Sequence, residues 1–152
     1  MSGGARSTVE ASQALVGVAV RSLAEALEQV TLTQYRALLL VVTRGPQRSG
    51  LLAEHLGVHA SSFTRVADRL VQGGWAVRRE NSENRREVLV VPTAAGRGLV
   101  EGVVRRREEE ITGILAVLPP GRRRTVERGM REFAAAADEF WGFDAPAAGP
   151  AL

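Results

Sequence analysis

The side chains best equipped for chemistry in this chain are arginines and small hydroxyls, and they come in three clusters. Ser61, Ser62, Thr64 and Arg65 fall within five positions at the start of a predicted helix. Hydroxyls so placed can donate to or accept from base edges and phosphates, and an arginine can fork onto O6 and N7 of guanine. One turn further on, Arg69 suits a phosphate clamp, which positions a duplex without reading it. Arg48 and Ser49 open a second predicted helix, where free N–H groups and the helix dipole favour phosphate. Arg85 and Arg86 directly follow the turn-forming run Asn81-Ser82-Glu83-Asn84, and Arg79 ends the strand before it. Two adjacent cations at a hairpin tip repel each other and are poor structural choices. A narrow groove of enhanced negative potential suits them. The competing readings are helix capping for the hydroxyls and a solvated face for the charges.

Other chemistries find no residues. All twenty basic side chains are arginine, and there is neither lysine nor cysteine. That excludes a Schiff base, a phosphate-cradling GK[ST] loop, a disulfide, a thiolate-bound zinc and a thiol redox switch. His55 and His59 are four apart, but Gly57 interrupts the helix between them and Leu56 stands where HExxH needs its glutamate. They read as structural or capping histidines. No GxSxG elbow exists, so a serine hydrolase is equally unsupported. The expectation is a non-enzyme with no catalytic residue, no metal and no cofactor.

The charge distribution agrees with an anionic partner. The 152 residues carry a formal charge of only +3 despite a pI near 10.8, because with one tyrosine almost nothing titrates between histidine and arginine. By segment, residues 44–107 hold twelve arginines against six carboxylates, a net +6, while residues 108–152 are at −3. No apolar run approaches a membrane span, and MSGGARS lacks the apolar core of a signal peptide, so a cytoplasmic protein is expected.

The elements that must position these residues read as six helices and one β-hairpin. Residues 1–6 and the tail 142–152 are expected to be disordered. Ser7 with Glu10 forms a capping-box pattern opening a helix over 7–30. Thr33 caps a second helix ending near Gly45-Pro46, and Ser49 caps a short third helix stopped by Gly57. A fourth runs from His59-Ala60-Ser61 to Gln72 with Phe63, Val66, Ala67 and Leu70 as its inner face, closed by Gly73-Gly74. Trp75 to Arg79 and Val88 to Val91 are the hairpin strands. Thr93 caps a long fifth helix, Pro119-Pro120 ends it, and an Ala-rich sixth runs to Trp141. This order is a mostly α, winged helix-turn-helix module at 31–92 with a two-stranded β-wing.

The long helices at 7–30 and 93–141 carry more apolar surface than that module can cover. The fifth, at about 37 Å, presents Leu99, Val103, Val104, Ile111, Leu115 and Leu118, and the sixth adds Val126, Met130, Phe133, Phe140 and Trp141. A second copy related by a two-fold axis would cover these stripes and set two recognition helices about one DNA turn apart.

From Leu32-Thr33-Gln34-Tyr35 through GPQRSGLLAEHLGVHASSFTRVADRLVQGGWAVRRENSENRREVLVVPTAAGRGL at 45–99, the chain resembles the MarR family of bacterial transcriptional regulators (multiple antibiotic resistance regulators). The spacing from Asp68-Arg69-Leu70 through Gly74, the wing and Thr93-x-x-Gly96 shows no insertion or deletion, and the resemblance extends over about residues 8–141. It implies a homodimer on double-stranded DNA at a pseudo-palindromic operator, acting as a repressor, with Arg86 in the minor groove. It further implies an ion pair from Asp68 to Arg78 or Arg79, with Arg78 favoured. Family wings carry aspartate where this chain has Asn81 and Asn84; Asn84 can still accept from the wing arginine, without charge assistance. The family commonly binds small molecules, often phenolic or other aromatic anions, between the dimer helices and the winged module. By position, Arg21, Tyr35 and Leu38 would line that cleft; ordinary packing for Tyr35 and a surface ion pair for Arg21 are the competing readings. The alternative to a regulator is an architectural or protein-interaction winged-helix module that binds DNA without sequence choice and without a ligand.

Overall fold

The computed structural model describes residues 3–141; the tail 142–152 and the first two residues lie outside it, as do the side chains of Asp138 and Trp141. Six helices and three strands follow in the order α1 (Gly3–Leu27), α2 (Leu32–Thr43), β1 (Gln47–Arg48), α3 (Ser49–Leu56), α4 (Ala60–Gln72), β2 (Ala76–Glu80), β3 (Val88–Pro92), α5 (Ala94–Ala116) and α6 (Pro120–Trp141). The sheet is antiparallel, in the order β1-β3-β2. The wing therefore has a third strand beyond the expected hairpin. It pairs Gln47 with Val90 and Arg48 with Leu89, and so joins the start of α3 to the wing. Two residues are too few to carry a periodicity, which is why the strand is silent in the sequence.

The core is built where helical spacing meets the sheet. Leu38, Leu40 and Val41 of α2, Leu52 of α3, Phe63, Ala67 and Leu70 of α4, Val90 of β3, and Val100 and Val103 of α5 are all essentially inaccessible to solvent. Phe63 is completely buried among them, and truncating a buried phenylalanine to alanine costs about 3–5 kcal/mol. Gly96 in the first turn of α5 lies against the backbone of Trp75, so closely that a Cβ there would overlap the Trp75 carbonyl and press on Leu38. That glycine sets how near α5 approaches the sheet.

Three helix starts differ from expectation. α1 begins at Gly3, so residues 3–6 are helical, and the Ser7 hydroxyl donates back to the Gly4 carbonyl at 3.1 Å instead of capping. The same helix stops at Leu27. Thr31, not Thr33, caps α2: its Oγ1 accepts from Gln34 N at 3.3 Å while Gln34 Oε1 accepts from Thr31 N at 2.7 Å. This is a reciprocal capping box, satisfying two N–H groups that a lone Thr33 could not. Ser49 is the first residue of α3 and Arg48 is its N-cap, with no side-chain cap hydrogen bond. Thr93 does cap α5, accepting from Gly96 N at 3.1 Å.

α1 and α5 pack along each other outside the winged module and are tied by charge. Arg106 Nη1 reaches Glu25 at 2.7 Å, Arg106 Nε donates to the Ser22 carbonyl at 3.2 Å, and Arg107 Nε donates to the buried Ser22 hydroxyl at 3.3 Å. An open groove of about 440 Å³ between α1, α5 and α6 is lined mainly by Leu15, Val18, Ile111, Ile114, Val126 and Met130. Among the described residues no helix is long and apolar enough to cross a membrane.

Candidate nucleic-acid interface

The helix-turn-helix owes its sharp corner to one residue. Gly57 adopts a left-handed conformation (φ 65°, ψ 34°) in which its N–H and that of Val58 close the last turn of α3 on the Glu54 and Ala53 carbonyls. A side chain there would be strained. α4 then runs with Phe63, Ala67 and Leu70 facing the core, which turns Ser61, Ser62, Thr64, Arg65 and Arg69 to solvent. His59, the N-cap, supplies no side-chain hydrogen bond, so Ser61 does not cap and the first N–H groups of α4 lack a side-chain acceptor. Thr64 spends its hydroxyl proton within the helix, on the Ala60 carbonyl at 3.1 Å, and keeps lone pairs for an incoming donor.

The wing is locked to this helix by the expected ion pair. Arg78 Nη2 on β2 lies 2.8 Å from Asp68 Oδ1 on α4, with both side chains partly exposed. Exposure of that degree limits its energetic worth to about 1 kcal/mol or less. Its value is geometric, because it sets β2 relative to the recognition helix. Arg79, next along β2, is exposed and its register partner on β3 is Leu89. Beyond it the loop folds on two Asx turns, in which Asn81 Oδ1 accepts from Glu83 N at 3.1 Å and Asn84 Oδ1 accepts from Arg86 N at 3.2 Å. Asn84 thus holds the backbone of Arg86 and not its guanidinium. The side chains of Arg85 and Arg86 stand exposed at the tip.

Arg48, a predicted phosphate contact, is already engaged by a carboxylate: its Nη1 lies 3.1 Å from Glu87 Oε1 at the β3 end of the wing loop. Glu87 also accepts from Asn81 Nδ2 at 3.0 Å. Sequence reasoning misses both Glu87 and Asn81 as site residues. A carboxylate directly after a pair of arginines at a hairpin tip was the available signal.

The residues expected to line a ligand cleft lie on α1 (Arg21) and α2 (Tyr35 and Leu38). Tyr35 and Leu38 lie in the core at 4% and 0% exposure, and Arg21 forms an ion pair with Glu110 of α5. Burial pushes the Tyr35 phenol above its ordinary value of 10.0, while the Arg107 and Arg106 guanidiniums act in the opposite direction. A separate cleft of about 220 Å³ between α1 and α5 is lined by Glu25, Gln29, Trp75, Leu99, Arg105 and Arg106. Among the described residues no three His, Cys, Asp or Glu side chains gather as metal ligands.

Comparison with known proteins converges on one family. Residues 30–88 match the model of the MarR family. The chain is similar to the crystal structure of RV1404 from Mycobacterium tuberculosis, at 32% identity and a TM-score of 0.75, covering 88% of this chain and 90% of that one. It is 26% identical over 101 residues to the uncharacterized HTH-type transcriptional regulator YfiV of Bacillus subtilis, over 66% of this chain and 63% of that relative. The chain thus spans less than two thirds of YfiV. A Staphylococcus aureus MepR F27L mutant bound to an oligodeoxyribonucleotide shares the fold at 15% identity, with a TM-score of 0.65 over 90% of this chain and 99% of that one.

Proposed function

The chain belongs to the MarR family of DNA-binding transcriptional regulators, and from that premise we propose that it is a homodimeric, cytoplasmic repressor of a pseudo-palindromic operator. One observation carries the reading: an α4 face of Ser61, Ser62, Thr64 and Arg65 is fixed by Asp68–Arg78 to a wing whose tip presents two exposed arginines. α4 enters the major groove, where Arg65 reads guanine and the hydroxyls meet base edges or phosphates. Arg69 and Arg79 clamp phosphates, Arg48 and Ser49 take a phosphate at the start of α3, and Arg85 and Arg86 enter the flanking minor groove. The MepR mutant of the same fold is bound to an oligodeoxyribonucleotide, which supports the same class of partner here.

The second copy covers apolar surface that one chain leaves open. Val16, Val20 and Leu27 of α1, Ile114 of α5, and Met130 and Phe133 of α6 are all more than 40% exposed. These residues lie on the three helices outside the winged module, and pairing them across a two-fold axis spaces two α4 helices for adjacent major grooves. Effector control belongs to the α1–α5 cleft, where Trp75 and Leu99 offer apolar contact and Arg105 a cation for an aromatic anion. A ligand there acts by favouring a dimer geometry whose helix spacing no longer fits the operator.

The test is binding of the purified chain to the intergenic DNA upstream of its own gene and to random duplex at one salt concentration. Strong preference for the intergenic fragment supports the reading. Equal binding to both refutes sequence-specific regulation and favours an architectural role.

A further inference from the structure

Glu87 closes the wing loop with a carboxylate split between two partners. Its Oε1 accepts from Arg48 Nη1 at 3.1 Å and its Oε2 from Asn81 Nδ2 at 3.0 Å. The backbone brackets the same residues, with Asn81 N donating to the Glu87 carbonyl and Glu87 N to the Asn84 carbonyl, each at 2.9 Å. The Glu87 side chain is 27% exposed and that of Arg48 57%. Asn81 uses both ends of its amide, the oxygen on Glu83 N within the loop and the nitrogen on Glu87. An aspartate in place of Asn81 would keep the first bond and set a second carboxylate against Glu87.

We propose that Glu87 is a positioning residue for DNA binding, which braces the wing through Asn81 and pre-orients Arg48 at the start of α3. Arg48 is both the N-cap of α3 and a residue of β1, so the brace joins the helix-turn-helix and the wing through contacts separate from Asp68–Arg78. A guanidinium carries five donors, and Arg48 spends one on Glu87, leaving the others directed by an already ordered side chain. Rotamer freedom lost before DNA arrives is not lost again on binding. Asn81 is the partner that the charge of Glu87 requires, because an amide can accept from Glu83 N and donate to a carboxylate at once.

The inference rests on the DNA-binding reading, and the experiment separates the two by reading the free protein as well as the complex. Asn81→Asp, Glu87→Gln and the double variant are compared with the wild-type chain by fluorescence anisotropy on the upstream intergenic duplex and on random duplex. Amide hydrogen exchange of residues 82–86 is followed without DNA. Asn81→Asp is expected to lower affinity for the intergenic duplex about tenfold, through the loss of one charge-assisted bond and its replacement by repulsion. It should also speed exchange in the loop. Adding Glu87→Gln restores both to near wild type, since the introduced amide can donate to the introduced carboxylate and still accept from Arg48, and the double variant has the wild-type net charge. Glu87→Gln alone is expected to bind random duplex more tightly and to lose part of the preference for the intergenic fragment. A double variant that stays as weak as Asn81→Asp, or an Asn81→Asp variant indistinguishable from wild type in both readouts, overturns the proposal. If exchange follows the predicted pattern while no variant, nor wild type, prefers the intergenic fragment, the brace stands, and its role in DNA binding falls with the functional reading.

Discussion

Arg86→Ala removes a guanidinium that the fold does not use. The link of Arg86 to the wing is its backbone N–H on Asn84 Oδ1 at 3.2 Å, which alanine keeps, and the side chain is exposed. Stability should therefore change by no more than about 0.5 kcal/mol, as for surface positions generally. Affinity for the operator should fall by about 1–3 kcal/mol per contact, or roughly 5- to 150-fold. Because each phosphate neutralised contributes about 0.9 to the slope of log affinity against log salt, the variant should also bind with a slope shallower by about that amount per wing. Random duplex should lose only this electrostatic share. The assay is a gel-shift or anisotropy titration at several salt concentrations beside a thermal melt. Unchanged operator affinity would refute the placement of the wing in the minor groove. A loss of binding together with a lowered melting temperature would show instead that Arg86 supports the fold.

Other perturbations test the frame that holds the interface. Gly96→Ala forces a methyl group against the Trp75 carbonyl and Leu38; it should destabilise the chain by about 1–3 kcal/mol in chemical denaturation. Thr31→Ala removes half of the α2 capping box, costing about 0.5–2 kcal/mol by the same measurement. The buried Tyr35 phenol holds its proton longer in the folded than in the unfolded state. Its contribution to stability is thus fully present below pH 10.0 and is lost as pH rises through the folded value. With one tyrosine and no cysteine in the chain, tyrosinate absorbance reports Tyr35 alone, and Tyr35→Phe should remove this alkaline loss.

The parts of the fold that were legible in the sequence are those where one periodic face decides the outcome. Of the predicted inner face, Phe63, Ala67 and Leu70 are buried and Val66 is half-buried, which orients α4 and with it the whole outward row of candidate contacts. The Asp68–Arg78 pair was equally accessible, since it depends on a resemblance with fixed spacing and on a strand beginning just after Gly74. Helix starts were less so. Ser7 and Glu10 match a capping pattern, yet the preceding residues are also free to be helical and α1 runs through them. Thr33 fits a capping position by type, yet the Gln34 side chain closes on Thr31 and α2 starts at Leu32. Tyr35 shows a different limit: a phenol with an apolar ring and a polar tip fits a ligand cleft and a core equally well, so its burial at 4% exposure cannot be read from the residue type. Asn84, which the resemblance casts as a weakened orienter of the wing arginine, holds the Arg86 backbone in the loop, and Asn81, where family wings carry aspartate, serves a carboxylate contributed from the other strand's edge.

The central claim is that the α4 face and the wing read a particular duplex. Its most direct test is the ratio of dissociation constants of the wild-type chain for random duplex and for the upstream intergenic fragment, measured at one near-physiological salt concentration. A ratio of at least about a thousand is expected. A ratio near unity would contradict the claim.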